Sequence, residues 1–348
     1  MLVLDRGREV WEDHWFRDLA ELLSGNELIV VNNVRVFPAR LLGQRVGIHA
    51  EPAGRRGRRE FLHSPIEVLL VCQVGPDVWE ALVRPGRKVR LGERIRFGDG
   101  ELEGEVIGRG DYGLRQLKFS ARAGFERALE HLGHVPLPPY IRRPDEAADR
   151  ERYQTIFARQ GQAVAAPTAG LHFSEAILAK LRARGIESCE ITLEVGLGTF
   201  EPIRTSRLED HRMHHEAYEI SEAAASAIIR ARREGRPVLA VGTTVVRTLE
   251  DAALKSATQS AGNEEAPVIG PGRAEADLFI YPGHRFRVVD QLLTNFHLPK
   301  SSLLVMVAAF AGREFILRAY RHAVEEGYRF YSYGDCMLVR GTSPARGN

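Results

Sequence analysis

Two blocks of this chain, Asn295-Phe296-His297-Leu298-Pro299 and Ala166-Pro167-Thr168-Ala169-Gly170-Leu171-His172-Phe173, each set one histidine among small, turn-forming and apolar residues. A solvated loop carries more charge than either block, and a plain core strand has no need of His, Asn and Thr. Such surroundings suit an imidazole whose proton affinity is tuned by partial burial, held near neutrality. His172 and His297 are therefore candidates for proton transfer, with Thr168, Gly170 and Asn295 beside them as binding groups. A satisfied core histidine would explain either block alone. The two together, with the blocks below, point to a site.

Gly242-Thr243-Thr244-Val245-Val246-Arg247 follows an apolar run and opens a helical pattern. That arrangement turns backbone N–H groups and threonine hydroxyls outward at a sheet's C-terminal edge, where an anion or carboxylate binds; a plain N-capped helix is the bland alternative. Val195-Gly196-Leu197-Gly198-Thr199-Phe200 ends another strand with glycines that let a ligand approach the backbone. Asn32-Asn33-Val34-Arg35 and Arg40 put amides and arginines after a buried run, and the guanidinium fork suits carboxylate or phosphate. A basic turn at a domain boundary would read the same way.

Two tempting motifs fall away. His211-Arg212-Met213-His214-His215-Glu216 gathers three histidines and a carboxylate in six residues, but its spacing fits no familiar metal site and no second pair completes it. It reads better as a polar rim leading into a strand, with Glu216 a candidate acid or base. Gly108-Arg109-Gly110-Asp111-Tyr112-Gly113 matches the dinucleotide fingerprint literally. That fingerprint needs a helix next, whereas residues 114–119 look like another strand, so a hairpin turn is expected.

The elements that must position these residues follow from periodicity. Residues 27–32 read as a buried strand. Short runs at 66–74, 79–83, 94–97, 102–107 and 114–119 alternate with Gly-rich turns, the mark of a small all-β unit. Pro136 to Pro139 and the charged stretch 142–152 read as its exit linker. Beyond it the chain alternates: helix 174–184, strand 186–195, strand 216–220, helix 221–233, strand 237–241, helix 245 to about 256, and strand 276–281. Residues 256–273 form a polar loop. Helical periodicity then runs over 301–326 with a break at Gly312. The expectation is an α/β fold in which a major domain from residues 1–60 and 150–348 is interrupted by a barrel-like insert, 61–149.

Composition narrows the class. The 348 residues are 44% hydrophobic and 27% charged, ordinary for a soluble protein. Forty-eight basic against 46 acidic side chains leave +2, so net charge names no partner. Distribution says more: residues 35–60 hold seven arginines and two acids, and 84–96 hold six basic residues and one acid. Two such clusters favour a polyanionic partner. Cys72, Cys189 and Cys336 are widely spaced without a CxxC, so neither zinc knuckle nor disulfide framework is expected. Without an apolar leader or a span long enough for a bilayer, the expected compartment is the cytoplasm, with no membrane partner. Nothing in the pattern specifies an oligomeric state.

In order along the chain, residues 32–41, Tyr153-Gln154-Thr155, 166–173, 195–200, Met213-His214 with Glu216, 241–250, 294–299 and Tyr333-Gly334-Asp335 resemble the S-adenosylmethionine:tRNA ribosyltransferase-isomerases of queuosine biosynthesis. The resemblance spans residues 2–339 and implies an α/β domain carrying an inserted β-barrel. Three departures stand out: members usually begin with a further segment upstream, Val34 stands where Thr or Ser is common, and Glu194 where His is common. The reaction it implies moves the ribosyl part of S-adenosylmethionine (AdoMet) onto 7-aminomethyl-7-deazaguanine at the tRNA wobble position, with isomerisation to an epoxycyclopentanediol and loss of adenine and methionine. AdoMet is then a consumed substrate, and no metal or added cofactor is implied. A base must take a weakly acidic C–H proton and an acid should assist adenine; His172 and His297 lead, with Glu216 and Asp335 as alternatives. Arg247 with Thr243 and Thr244 suits the methionine carboxylate, Glu250 or Asp335 its ammonium, and Arg35, Arg40 and the insert's basic residues the RNA. Competing classes are a non-catalytic RNA-binding protein, which leaves the histidine blocks unexplained, and an AdoMet-dependent RNA methyltransferase, which would need a glycine-rich loop after an early strand.

Overall fold

The computed structural model describes residues 1–46, 65–110, 113–196, 203–259 and 268–341. The run Arg55, Arg56, Arg58 and Arg59, and the site candidates Gly198 and Thr199, lie outside them. The chain divides into two compact units: Met1–Arg35 with Gln154–Gln162 and Ala166–Asn348, and Val36–Tyr153 with Ala163–Ala165.

The first unit is built on a nine-stranded mixed sheet. Its order is Gly272–Ala276, Glu216–Ile220, Glu187–Leu193, Leu28–Asn32, Val238–Val241, Gln291–Asn295, Cys336–Arg340, Leu2–Asp5 and Val10–Asp13. The middle four, from Glu187–Leu193 to Gln291–Asn295, run parallel. Leu28–Asn32 and Val238–Val241 are buried throughout, as continuous apolar runs must be when both sheet faces are covered. Ile29 and Val31 pack with Leu239, Val241, Leu293 and Leu338 against Leu181 of the helix Glu175–Ala183, so alternation sends Leu28 and Val30 to the opposite face. Leu2–Asp5 and Cys336–Arg340 lie side by side in parallel, so both ends of the described chain share this sheet.

Serine side chains cap three of the expected helices. Ser174, Ser221 and Ser301 accept from the backbone N–H groups of Ile177, Ala224 and Leu304, satisfying donors that a helix start leaves open. The helical stretch after Ser301 splits at Gly312 into Ser302–Ala311 and Arg313–Glu325. Other boundaries shift. The helix expected from residue 245 is Thr243–Gln259, beginning directly after the strand. The strand expected at 276–281 is instead Gly272–Ala276, paired with Glu216–Ile220. The apolar run that suggested it leaves the sheet, burying Ile280 and setting Phe279 edge-on against His211.

The second unit is a closed six-stranded barrel, in the order Arg115–Ala121, Val78–Arg84, Pro65–Gly75, Arg40–Arg45, Arg94–Phe97 and Leu102–Arg109. Period-two burial fills it with Leu41, Ile66, Val68, Leu70, Trp79, Ala81, Ile95, Phe97, Val106 and Leu117. Arg40–Arg45, which the sequence assigned to the α/β part, is one of its strands; Leu41 and Gly43 point inward while Arg40, Gln44 and Arg45 disguise the run. The glycine-rich hairpin at 108–113 joins antiparallel neighbours, Arg109 pairing with Arg115, rather than a strand to a helix. Residues 142–152, expected as linker, are pinned here: Arg143 forks onto buried Asp149 at 2.6 and 2.8 Å, and Asp145 accepts from Val135 and meets His134 Nδ1. Among the described residues no helix is long and apolar enough to cross a membrane.

Candidate functional site

The four parallel strands end together at Leu193, Asn32, Val241 and Asn295, and chain order reverses across them, which is where open α/β sheets bind ligands. Asn32 ties two of these ends. Its Nδ2 donates to the Leu193 carbonyl at 3.0 Å while its Oδ1 accepts from the N–H groups of Val34 and Leu193. Asn32 therefore holds the edge in register and has both amide atoms occupied by protein. Arg35, just beyond, is exposed.

One cluster gathers around Asn295. Its Nδ2 donates to the carbonyls of Tyr331, 3.1 Å, and Asp335, 3.4 Å, and lies 3.2 Å from His172 Nε2. An amide nitrogen can only donate, so His172 Nε2 is the acceptor and the ring carries its proton on Nδ1. Asn295 Oδ1 is buried without a protein partner. Burial lowers the His172 pKa to about 4, with the Asp335 carboxylate pulling the other way. Phe16 lies over the ring at 5.1 Å. Asp335 itself closes a tight turn, Oδ2 accepting from Arg329 N at 2.7 Å. A side chain at Gly334 would meet the Arg329 carbonyl at 2.3 Å, which is why Tyr333-Gly334-Asp335 needs its glycine.

His297 is set differently. It is 9% exposed, its Nε2 meets Thr294 Oγ1 at 2.8 Å, and its N–H donates to the Tyr320 hydroxyl. Phe296 beside it is wedged among Tyr320, Tyr328 and Phe330. Burial lowers the His297 pKa to about 3. Both imidazoles thus lie well below the near-neutral values expected from sequence, because the apolar shell penalises the cation more than partial burial would.

A second cluster forms around Arg247, which is 3% exposed. Its guanidinium pairs with Glu216 and donates to the carbonyls of His214, Ala276 and Leu278. The other Glu216 oxygen accepts from Gly196 N at 2.8 Å. Arg247, which the sequence suggested for a ligand carboxylate, is thus held by protein acceptors while lining the same small pocket as Thr243 and Thr244. Glu250 is likewise spent: its oxygens accept from the N–H groups of Arg287, Val288 and Val289, so it anchors that loop and not a substrate ammonium. In the barrel, Arg40 pairs with Glu67 at 2.9 Å, which leaves less of its charge for RNA. Thr243 and Thr244 open their helix after Gly242, whose φ of +94° makes the turn. A Cβ at Gly242 would lie 3.8 Å from Ala169, so the turn Thr168–His172, with buried Gly170, packs on the Thr243 turn and brings the two clusters together.

Residues missed in the sequence also come in. Ser302 is 4% exposed with an unpartnered hydroxyl, and it lines a small pocket with Thr243, Thr244 and Glu216; its place behind the Ser301 cap was the available signal. The departures Val34 and Glu194 flank one glycine, Gly161, at 3.1 and 3.7 Å from where its Cβ would be. Glu194 borders an open groove of about 510 Å³ with Gln160, Thr192 and Arg273, and burial raises its pKa. The histidines of 211–215 diverge: His211 meets Phe279 edge-on and His215 pairs with Glu275. Among the described residues no three His, Cys, Asp or Glu converge as metal ligands.

The model of the family described as queuosine biosynthesis protein matches residues 1–339. A protein of Solibacter usitatus named S-adenosylmethionine:tRNA ribosyltransferase-isomerase is 50% identical over 343 residues, covering 97% of this chain and 92% of its own length. One of the same name from Symbiobacterium thermophilum is 48% identical over 339 residues with the same shares. A crystal structure described as S-adenosylmethionine tRNA ribosyltransferase, from Thermotoga maritima, is 32% identical, covers 97% of this chain and 91% of that one, and superposes with a TM-score of 0.47. With a family model spanning nearly its full length and relatives sharing half its residues, the chain belongs to the queuosine biosynthesis protein family.

Proposed function

We propose that this chain is an enzyme that transfers and isomerises the ribosyl moiety of AdoMet onto 7-aminomethyl-7-deazaguanine at the wobble position of tRNA, releasing adenine and methionine. The observation that carries the reading is the placing of His172 beside Asn295, Nε2 to Nδ2, at the C-terminal edge of the parallel strands, where burial lowers the pKa of the imidazole. The names borne by relatives at 48–50% identity support the same assignment. Substrates are AdoMet and tRNA; the sulfonium supplies the driving charge, so no metal or further cofactor enters the scheme.

The site residues take these roles. With Nε2 occupied, His172 offers Nδ1–H, a neutral donor that assists adenine as it leaves without carrying charge into the pocket. Asn295 fixes that tautomer and offers its own unpartnered Oδ1 to a ligand N–H. His297 is buried and engaged by Thr294, which leaves Asp335 as the candidate to receive the C5′ proton. Glu216 and Arg247 hold the opposing wall as a pair. Arg35 and the barrel's basic loops meet the RNA backbone.

Incubation with AdoMet and precursor tRNA should release adenine and methionine in equal amounts, and only when the tRNA carries the aminomethyl-deazaguanine. Appearance of S-adenosylhomocysteine instead would make the chain a methyltransferase. Tight tRNA binding with no AdoMet turnover would make it a binding protein.

A further inference from the structure

Two helices begin at the same place. Thr243–Gln259 starts where the strand Val238–Val241 ends, and Ser302–Ala311 starts shortly after Gln291–Asn295. Neither has an acidic residue in its first turn, so the partial positive charge of both N-termini is left uncompensated from within. Their opening residues, Thr243 and Thr244 from one and Ser302 from the other, line a single pocket of about 20 Å³. The hydroxyls of Thr244 and Ser302 are both buried without a hydrogen-bond partner, and Ser302 is 96% buried, being 4% exposed. A buried hydroxyl costs free energy unless it is paired, and two of them in one pocket at converging helix starts ask for an acceptor with two lone-pair faces.

We propose that this pocket receives the α-carboxylate of the methionine part of AdoMet, held by the Thr244 and Ser302 hydroxyls at the two helix N-termini. The assignment rests on AdoMet being the substrate and names the group that anchors it. The chemistry of the walls agrees. Met213, Met306 and Phe279 line the same pocket, an apolar shell that excludes water and so strengthens hydrogen bonds to a carboxylate oxygen. Glu216 also lines it, and its charge opposes an anion, but it is paired with Arg247 and engaged by Gly196 N, so the wall is neutral as a pair. The volume suits a carboxylate oxygen in place of a water, with the rest of the ligand outside. Ser302 thereby joins Thr244 in the role that sequence reading gave to Arg247 with Thr243 and Thr244.

The test uses decarboxylated AdoMet, which keeps the sulfonium, adenosine and amine but lacks the carboxylate. Calorimetric titration of the full chain should show AdoMet bound more tightly than the decarboxylated form. In a Ser302→Ala, Thr244→Val double variant that preference should fall roughly ten- to a hundred-fold, the range for hydrogen bonds to a charged group, with tRNA affinity unchanged. Thr244→Val alone keeps shape and carries the same comparison should the double variant melt early. A preference that survives in the variants overturns the proposal, as does a loss of tRNA affinity, which would make the occupant an RNA phosphate. Failure of the wild type to bind AdoMet at all would remove the functional reading beneath it, a distinct result.

Discussion

Arg247 shows how a residue type can be legible while its partner is not. A guanidinium after a Gly-Thr-Thr turn reads as a ligand clamp, yet Glu216, 31 residues away, takes it. Sequence spacing does not encode which of several acids folds back to a given cation. The consequence is energetic: truncating one member of a buried pair leaves an uncompensated charge and costs about 3–5 kcal/mol. Arg247→Ala should therefore lower the urea midpoint markedly, and Glu216→Gln in the same background should restore part of the loss. A variant that stays as stable as wild type but binds AdoMet weakly would return Arg247 to the ligand. The structure does bring His172 and Asn295, from blocks dense in turn formers and poor in charge, together with the Asp335 carbonyl. Their meeting was still invisible, since residues 172, 295 and 335 come from three separate segments.

At the level of elements, the expected contact with RNA is best tested on the barrel's Val78–Arg84 to Arg94–Phe97 connection. Arg84, Arg87, Arg90 and Arg94 are exposed, and Leu91 stands out at 60% exposure among them. The one acid of the loop, Glu93, is fully buried and paired with Arg45 at 2.7 Å, so nothing within the loop neutralises the outer arginines. Replacing the four with Ala should weaken tRNA binding and reduce the slope of log affinity against log salt by about three. An unchanged slope would leave the loop a solvated turn. The barrel was readable as short alternating strands with turn signals, but its Arg40–Arg45 strand was not. Three of its six residues are polar or charged, and its partners, Pro65–Gly75 and Arg94–Phe97, begin some 20 or more residues downstream.

For the molecule as a whole, burying neutral imidazoles sets the acid limit of stability. His172 and His297 titrate at about 4 and about 3 in the fold, below the ordinary value near 6.5 of an unfolded chain. The unfolded state thus binds more protons between those limits, so stability is complete above about pH 6.5 and is lost as pH falls through the window. For His297 alone the loss by pH 4.5 is about 2–3 kcal/mol. Denaturant midpoints at pH 7 and 4.5 should therefore differ less in His297→Gln than in wild type; equal differences would mean that folding leaves the pKa of this imidazole unchanged. The parallel pairing of Leu2–Asp5 with Cys336–Arg340 has a further consequence, for the order of folding. Arg6, next to that strand, also donates to the carbonyls of Asp290, Phe310 and Gly341. One edge of Leu2–Asp5 pairs locally with Val10–Asp13, but the other is covered only by a strand far along the chain. Contacts of such sequence separation carry a large loop-closure entropy, so this edge of the sheet is expected to close among the last steps of folding.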